Sequence, residues 1–302
     1  MYDLIIIGSG VSGYAGGMYA ARLGLKTLII GEMPGGAIVL TDIVENYPGF
    51  KKISGTELFE KIREHTKEYG VEIVTSKVTK IEKKDEYFVV RVDKGYEAKA
   101  ILFATGTRHK ELKVAGHDKY KNKGVHYCAL CDGYFYKNKI VAVIGGSDSA
   151  VKDALVLSRA AKKVYVIYRG GQIHPEPINM KRIKGKKNIE IINNTNVIEI
   201  KGDEKKVTAV ILDKEYNGSK ELEVDGVFIA IGTIPLSDLA KDLGVRTNEK
   251  DEIIVNDKCE TNVKGIFAAG DVTNIKFKQA ITGVAQACTA AFFIHEMLEG
   301  KK

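Results

Sequence analysis

Cysteine is scarce, with four residues in a chain of 302. That is not the density of a small secreted disulfide scaffold; it leaves one close pair, Cys128 and Cys131, and two lone thiols, Cys259 and Cys288. Long apolar runs are missing too. No stretch of eighteen or so consecutive apolar residues is present for a membrane span. Only Met1 to Asp3 precede the apolar run Leu4–Ile7, which provides neither the basic n-region nor the h-region of a signal peptide. A cytoplasmic protein without membrane contact is expected. Arginine supplies only eight of the 46 basic residues behind a net charge of +7. The lysines are scattered, with no basic helix or aromatic stacking surface, which argues against nucleic-acid binding. A solvated Lys/Glu surface accounts for the charge, as does steering of an acidic protein partner. Hydrolase chemistry lacks its nucleophile elbow, because Gly8-Ser9-Gly10 is too short for G-x-S-x-G.

The length suggests two domains, and 44% hydrophobic with 28% charged residues is the balance of a globular chain. Tyr2–Ile7, ending in the apolar run Leu4–Ile7, suits a buried parallel strand. A glycine turn, a helix over residues 11–24 and a strand over 26–30 follow. Ser54 can cap a helix over residues 55–69, residues 78–92 read as a hairpin, and residues 100–104 as a strand ending in Thr105-Gly106. The pattern then restarts: strand 139–144, glycine turn 145–150, helix 150–161, strand 164–168. Later strands are expected at 189–192, 207–212, 226–231 and 265–269, with a terminal helix over 279–298. Two strand–glycine–helix–strand units about 137 residues apart, each closed by a strand ending in Ala-x-Gly, mark an internal duplication of a nucleotide-binding fold. The predicted class is α/β, with two Rossmann-like domains, the second inserted into the first. Residues 1–111 and 237–302 form the first, residues 112–236 the second.

Gly8-Ser9-Gly10-Val11-Ser12-Gly13 is a complete G-x-G-x-x-G between strand and helix. Its glycines permit a tight turn, close backbone approach to a pyrophosphate and close helix–strand packing, at a helix N-terminus carrying positive dipole. Glu32, some twenty residues on, has the chemistry to bind a ribose hydroxyl, or is a surface carboxylate. Gly16 and Gly17 inside the helix should each cost about 1 kcal/mol relative to alanine, which close packing on the sheet would explain.

Cys128-Ala129-Leu130-Cys131-Asp132 is the expected chemical centre. Thiols at this spacing can close a small disulfide ring, often with a lowered thiolate pKa. The alternatives are inert thiols or zinc, which needs four ligands; no second Cys/His pair has ligand spacing, and His126 is insufficient alone. Asp132 suits acid–base work on a thiolate, or is a turn residue beside Gly133.

The segment Cys128 to Tyr136 resembles the active-site segment of the low-molecular-weight thioredoxin reductases. So does its spacing from Gly8-Ser-Gly, Val44-Glu-Asn-Tyr-Pro-Gly49, Ala104-Thr-Gly106, Ala269-Gly-Asp271 and Gln279-Ala280. The resemblance runs over essentially the whole chain. It implies FAD, NADPH and thioredoxin as cofactors and partner, and a homodimer. FAD would be held by Gly8, Ser9, Gly10, Gly13, the loop Gly31–Ala37 with Glu32, Gly35 and Gly36, by Asn46, Thr105, Gly106, Gly270, Gln279 and Ala280, and by Asp271 on the ribityl chain. Cys131 would exchange electrons with the flavin, Cys128 would attack the substrate disulfide, and Asp132 would manage protons. The inserted domain would swivel so that its dithiol and any nicotinamide can both meet one flavin.

Several positions depart from the family pattern. Ala37 stands where a glutamine is usual beside the flavin. In the second turn, Gly145-Gly146-Ser147-Asp148-Ser149-Ala150, serine replaces the middle glycine. The family's H-R-R-x-x-x-R clamp on the 2′-phosphate is here Tyr168-Arg169-Gly170-Gly171-Gln172-Ile173-His174, so Arg169 alone remains of three arginines. Losing two such contacts removes several kcal/mol of NADPH binding, at roughly 1.5–3 kcal/mol for each charged hydrogen bond. Weak or absent NADPH use is therefore predicted, leaving NADH, reduced ferredoxin or a reduced deazaflavin as donors, unless lysines such as Lys181 or Lys184 stand in. Rival readings are a flavin-dependent dithiol oxidase, the flavoprotein of a peroxide-reducing system and a non-enzymatic flavin sensor.

Overall fold

Tyr2–Ile7 is the central strand of its sheet, and Leu4, Ile5 and Ile6 are wholly buried. In this computed structural model, which describes residues 1–300, it lies parallel between Thr27–Ile30 and Gly95–Phe103, with Ile5 opposite Leu28 and Ile101. A strand covered on both faces reads as a continuous apolar run, as Leu4–Ile7 does, while Asp3 at the less buried start pairs with Lys99 at 2.8 Å. Glu72–Val74 extends the sheet in parallel on one side. The expected hairpin, formed by Lys80–Lys83 and Phe88–Arg91, extends it antiparallel on the other. Ile266–Ala268 pairs in parallel with the distal half of Gly95–Phe103 and makes the seventh strand.

Helix Val11–Arg22 packs closely enough to require its interior glycines. A Cβ on Gly17 would sit 2.8 Å from Ile29 Cδ1, and one on Gly16 3.2 Å from Ala287 Cβ. Helix Ala280–Leu298 lies against Val11–Arg22 and buries Gly283, Ala287, Ala290, Ala291 and Ile294. By length and composition it is apolar enough to cross a membrane. Thr282, Gln286 and Thr289 interrupt the run and hid this from a search for consecutive apolar residues. Helix Gly55–Glu68 opens where expected, with the Ser54 hydroxyl accepting the Glu57 N–H at 3.1 Å.

The second compact unit, residues 109–233, repeats the design. Its parallel sheet runs Ile189–Ile192, Lys163–Ile167, Ile140–Ile144, Gly226–Ile229, Val125–His126. Helix Asp148–Leu157 opens two residues before the expected Ala150 and stops short of Ala161. Unforeseen in the sequence are helix Pro177–Lys184 and the strands Val197–Gly202 and Ser219–Glu223, which flank Val207–Tyr216 in a separate antiparallel sheet. Residues 1–108 with those from 234 onward form the first unit, so the chain divides a few residues before each expected boundary. The two crossings, Thr107–His109 and Thr233–Pro235, pair with each other as a short ribbon. Lys110 N–H bonds Gly232 O at one end of it and Leu236 N–H bonds Gly106 O at the other, each at 3.0 Å.

Candidate active site

The strand Val125–His126 delivers the chain to Tyr127 and Cys128, and Cys128 caps the short helix Ala129–Asp132. One turn of helix brings residues three apart onto the same side, and here Cys128 and Cys131 are joined as a disulfide with their Cα atoms 5.3 Å apart. The Cys131 N–H donates to Cys128 Sγ at 3.1 Å, a bond that would favour the thiolate of Cys128 once the pair is reduced. Buried Ala129 fixes the turn against helix Asp148–Leu157. From that helix Asp153 accepts a backbone hydrogen bond from Ala129, and burial pushes its carboxyl up to about 7 although the bond itself pulls downward.

Asp132, next to Cys131, is held from behind. Its Oδ2 lies 3.2 Å from His126 Nδ1, and His126 Nε2 lies 2.7 Å from the Tyr136 hydroxyl. Phe228 stacks on the imidazole with ring centres 5.3 Å apart. Burial lowers the pKa of His126 despite the nearby Asp132 carboxylate, and burial, Asp132 and Asp225 push Tyr136 up to about 12. Sequence reasoning considered His126 only as a zinc ligand and missed Asp153 and Tyr136. The signal for Asp153 was its place beside Ala150, Ala154 and Leu157 on the buried face of a helix. On the outer side Tyr134 is 81% exposed and Phe135 67%, unusual for aromatic rings, with Leu130 also exposed. Of the lone thiols, Cys259 is buried and Cys288 partly so; burial pushes each up to about 11.

The first glycine turn lies at the carboxyl ends of the parallel strands, where nucleotides bind in such sheets. Gly8 has φ +120°, and a Cβ there would meet Ala104 O at 2.2 Å; one on Gly13 would meet Gly8 O at 2.0 Å. Gly10 differs. It is the N-cap of helix Val11–Arg22 without a side-chain cap, and its nearest obstacle is Gly35 O at 3.8 Å. The first-turn amides therefore open onto a space bounded by the Gly10–Gly35 bridge and by Gly36. Ser9 is buried against Gly31 with its hydroxyl unpartnered, while Glu32 and Ala37 are exposed. Asn46 and Gln279, far apart in sequence, join by a 3.0 Å side-chain bond, and Gln279 caps the helix that begins at Ala280. At the end of Ile266–Ala268, Gly270 abuts Ser12, and Asp271 is a partly buried carboxyl raised by desolvation. Gly106 turns with φ +66°, and the Thr105 hydroxyl is engaged by Leu236 O at 2.7 Å. An uncapped helix start on a side-chain-free crevice, with a hydrogen-bonding rim of Asn46, Asp271 and Gln279, fits a dinucleotide such as FAD.

The second turn has the same backbone and different contents. Gly145, at φ +144°, again lies against the closing strand, 2.2 Å from Ala230 O if it carried a Cβ. Ser147 is the N-cap and bridges to His174, whose N–H bonds Gly146 O at 2.8 Å. Asp148 accepts the Glu176 N–H and the Asn179 amide, each at 2.9 Å, and pairs with Lys152 at 2.8 Å. A carboxylate is thus fixed in the first turn, beside Ser149, where a phosphate would need positive potential. Arg169, Lys181 and Lys184 are exposed.

Among known proteins, the family described as "Pyridine nucleotide-disulphide oxidoreductase" matches residues 2–287. A thioredoxin reductase from Bacillus subtilis (strain 168) is 39% identical over 302 residues, covering 99% of this chain and 95% of the relative. The solved thioredoxin reductase of Lactococcus lactis superposes with a TM-score of 0.95 at 38% identity, covering 99% of this chain and 100% of that one. That of T. acidophilum gives 0.93 at 38% identity, with 99% of each covered. With a closed Cys128–Cys131 pair in one nucleotide-type fold and an open glycine crevice in the other, this chain belongs to the pyridine nucleotide-disulphide oxidoreductases.

Proposed function

We propose that the chain is a thioredoxin-disulfide reductase, and the observation that carries the proposal is the Cys128–Cys131 disulfide flanked by Asp132 and by the exposed rings of Tyr134 and Phe135. FAD, when bound, supplies the electron pair that opens this disulfide. The first unit's residues would hold it: Gly8, Ser9, Gly10 and Gly13 at the pyrophosphate, the Gly31–Ala37 loop with Glu32, and Asn46, Thr105, Gly106, Gly270, Asp271, Gln279 and Ala280 around the remainder.

Cys128 would be the attacking thiolate, stabilised by the Cys131 amide, and Cys131 the resolving thiol. Asp132 accepts the proton of Cys131 and returns it to a leaving sulfur. Tyr134 and Phe135 offer large rigid apolar area to a protein partner at low entropic cost. The donor in this reading is not NADPH. Ser147 and His174 crowd the second turn, Asp148 places a carboxylate there, and Arg169 stands alone. NADH, reduced ferredoxin and a reduced deazaflavin are the candidates. The paired crossings would be the hinge on which the inserted unit turns, and a homodimer would cover Phe292, exposed on the terminal helix.

Trapping tests the proposal. Cys131→Ser should accumulate a mixed disulfide between Cys128 and thioredoxin, seen as a reductant-sensitive band, and Cys128→Ser should not. Equal adducts from both variants, or none from either, would overturn it.

A further inference from the structure

We infer that His126 is a positioning residue for the proton chemistry of the dithiol, holding Asp132 at one ring nitrogen and the Tyr136 hydroxyl at the other. The inference rests on the reductase function proposed above. A carboxylate only accepts hydrogen bonds, so the 3.2 Å contact requires the proton on His126 Nδ1. Nε2 then carries a lone pair and accepts the Tyr136 O–H at 2.7 Å. Polarity therefore runs one way, from Tyr136 to His126 to Asp132. Phe228 stacked on one face and the half-closed surroundings hold the ring in that orientation. With Oδ2 engaged by the imidazole, Oδ1 is the oxygen left to trade protons.

The balance is as follows. The Cys128 thiolate attacks the substrate disulfide, forming a Cys128–substrate S–S bond, while the Asp132 carboxylate takes the proton of Cys131 and passes it to the first substrate sulfur, which departs with the electron pair. The Cys131 thiolate so formed attacks Cys128 and reforms the internal disulfide. The second substrate sulfur leaves as a thiolate. One disulfide is reduced, one dithiol oxidised, and Asp132 ends as it began. His126 makes and breaks no bond in this sequence; it keeps one carboxylate oxygen aimed.

The groups facing His126 are Asp132 from helix Ala129–Asp132, Tyr136 from the following 3-10 turn, and the non-titrating Phe228 from strand Gly226–Ile229, with Asp225 and Lys139 acting on Tyr136. Burial lowers the pKa of His126, so the ring is neutral at neutral pH. Protonation would turn Nε2 into a donor, reverse the Tyr136 bond and set a full positive charge against the Asp132 carboxylate, making it a poorer acceptor for the Cys131 proton. The exchange rate should then fall as pH drops through the His126 titration, below the ordinary imidazole value of about 6.5.

FAD-loaded protein, photoreduced without oxygen, can be mixed with oxidised thioredoxin in single turnovers between about pH 5 and 9, which spans the imidazole range. His126→Ala should slow exchange about tenfold or more, the low end of what a lost proton-transfer contribution produces. His126→Asn, whose amide N–H reproduces the Nδ1 donor without titrating, should recover most of that rate yet lack the acid limb. An acid limb unchanged in His126→Asn, or a wild-type rate in His126→Ala, overturns the inference; if His126→Ala fails to fold, the His126→Asn profile decides. Wild-type protein unable to reduce thioredoxin at any pH would instead overturn the reductase function itself.

Discussion

Ser147 is bridged in parallel to His174, and in the first nucleotide turn the same bridge joins Gly10 to Gly35. The supporting bonds match as well: His174 N–H to Gly146 O at 2.8 Å, Gly35 N–H to Ser9 O at 2.7 Å. One backbone design is used twice, with glycine on both sides of the first bridge and side chains on both sides of the second. A pyrophosphate approaches backbone amides only where nothing projects from them.

Restoring the second site should therefore take more than one change. A side chain on Gly170 would meet the Tyr168 ring at 2.6 Å, so arginine there needs Tyr168 replaced as well. The combination Tyr168→His, Gly170→Arg, His174→Arg and Ser147→Gly should lower the NADPH concentration needed to bleach the flavin by about tenfold or more, from two added charged hydrogen bonds. Anaerobic bleaching by NADPH measures this. Rapid bleaching of the unaltered protein at low NADPH would show that the second turn is already competent.

In the first turn, two glycines should fail in different ways. Gly13→Ala places a methyl 2.0 Å from Gly8 O and should destabilise the fold by about 1–3 kcal/mol, seen in denaturant melts. Gly10→Ala meets nothing nearer than 3.8 Å. It should keep the apoprotein's melting behaviour and reduce FAD retention, read from the flavin-to-protein absorbance ratio.

Asp153 gives the fold a pH dependence of known sign. Its carboxyl is raised to about 7 from an ordinary 3.8, so between these values the folded state holds a proton that the unfolded state has released. Stability contributed by this group is complete below the lower value and is lost as pH rises through about 7. Asp153→Asn keeps an acceptor for the Ala129 amide without titrating. Its melting temperature, compared with that of the unaltered protein, should gain progressively from acid to neutral pH; a constant difference would contradict the assignment.

Tyr134 and Phe135 should matter to a protein substrate only. Alanine at both positions should raise KM for thioredoxin by about tenfold or more, as removal of aromatic contacts at an interface does, while reduction of a small disulfide stays unchanged. Steady-state assays with both substrates separate the two.

Much of the fold was legible because its signals are local. The apolar run Leu4–Ile7 and the glycines at 8, 10 and 13 specify a buried strand and its turn without reference to anything distant. Cys128 and Cys131 were legible for the same reason, being three residues apart. What escaped depends on approach through space. Tyr136 reaches His126 because a 3-10 turn folds it back, and Asp153 reaches Ala129 from another helix. The strands Val197–Gly202 and Ser219–Glu223 were missed because charged residues interrupt their alternation, and pairing with Val207–Tyr216 stabilises them instead.

The most direct measurement is a count of thiols. FAD-loaded protein, photoreduced anaerobically and mixed with excess oxidised thioredoxin, should yield one thioredoxin dithiol for each electron pair stored. With serine at both 128 and 131 it should yield none, although the flavin is still reduced. Thioredoxin thiols appearing at the same rate from the double-serine protein would contradict electron transfer through the Cys128–Cys131 pair.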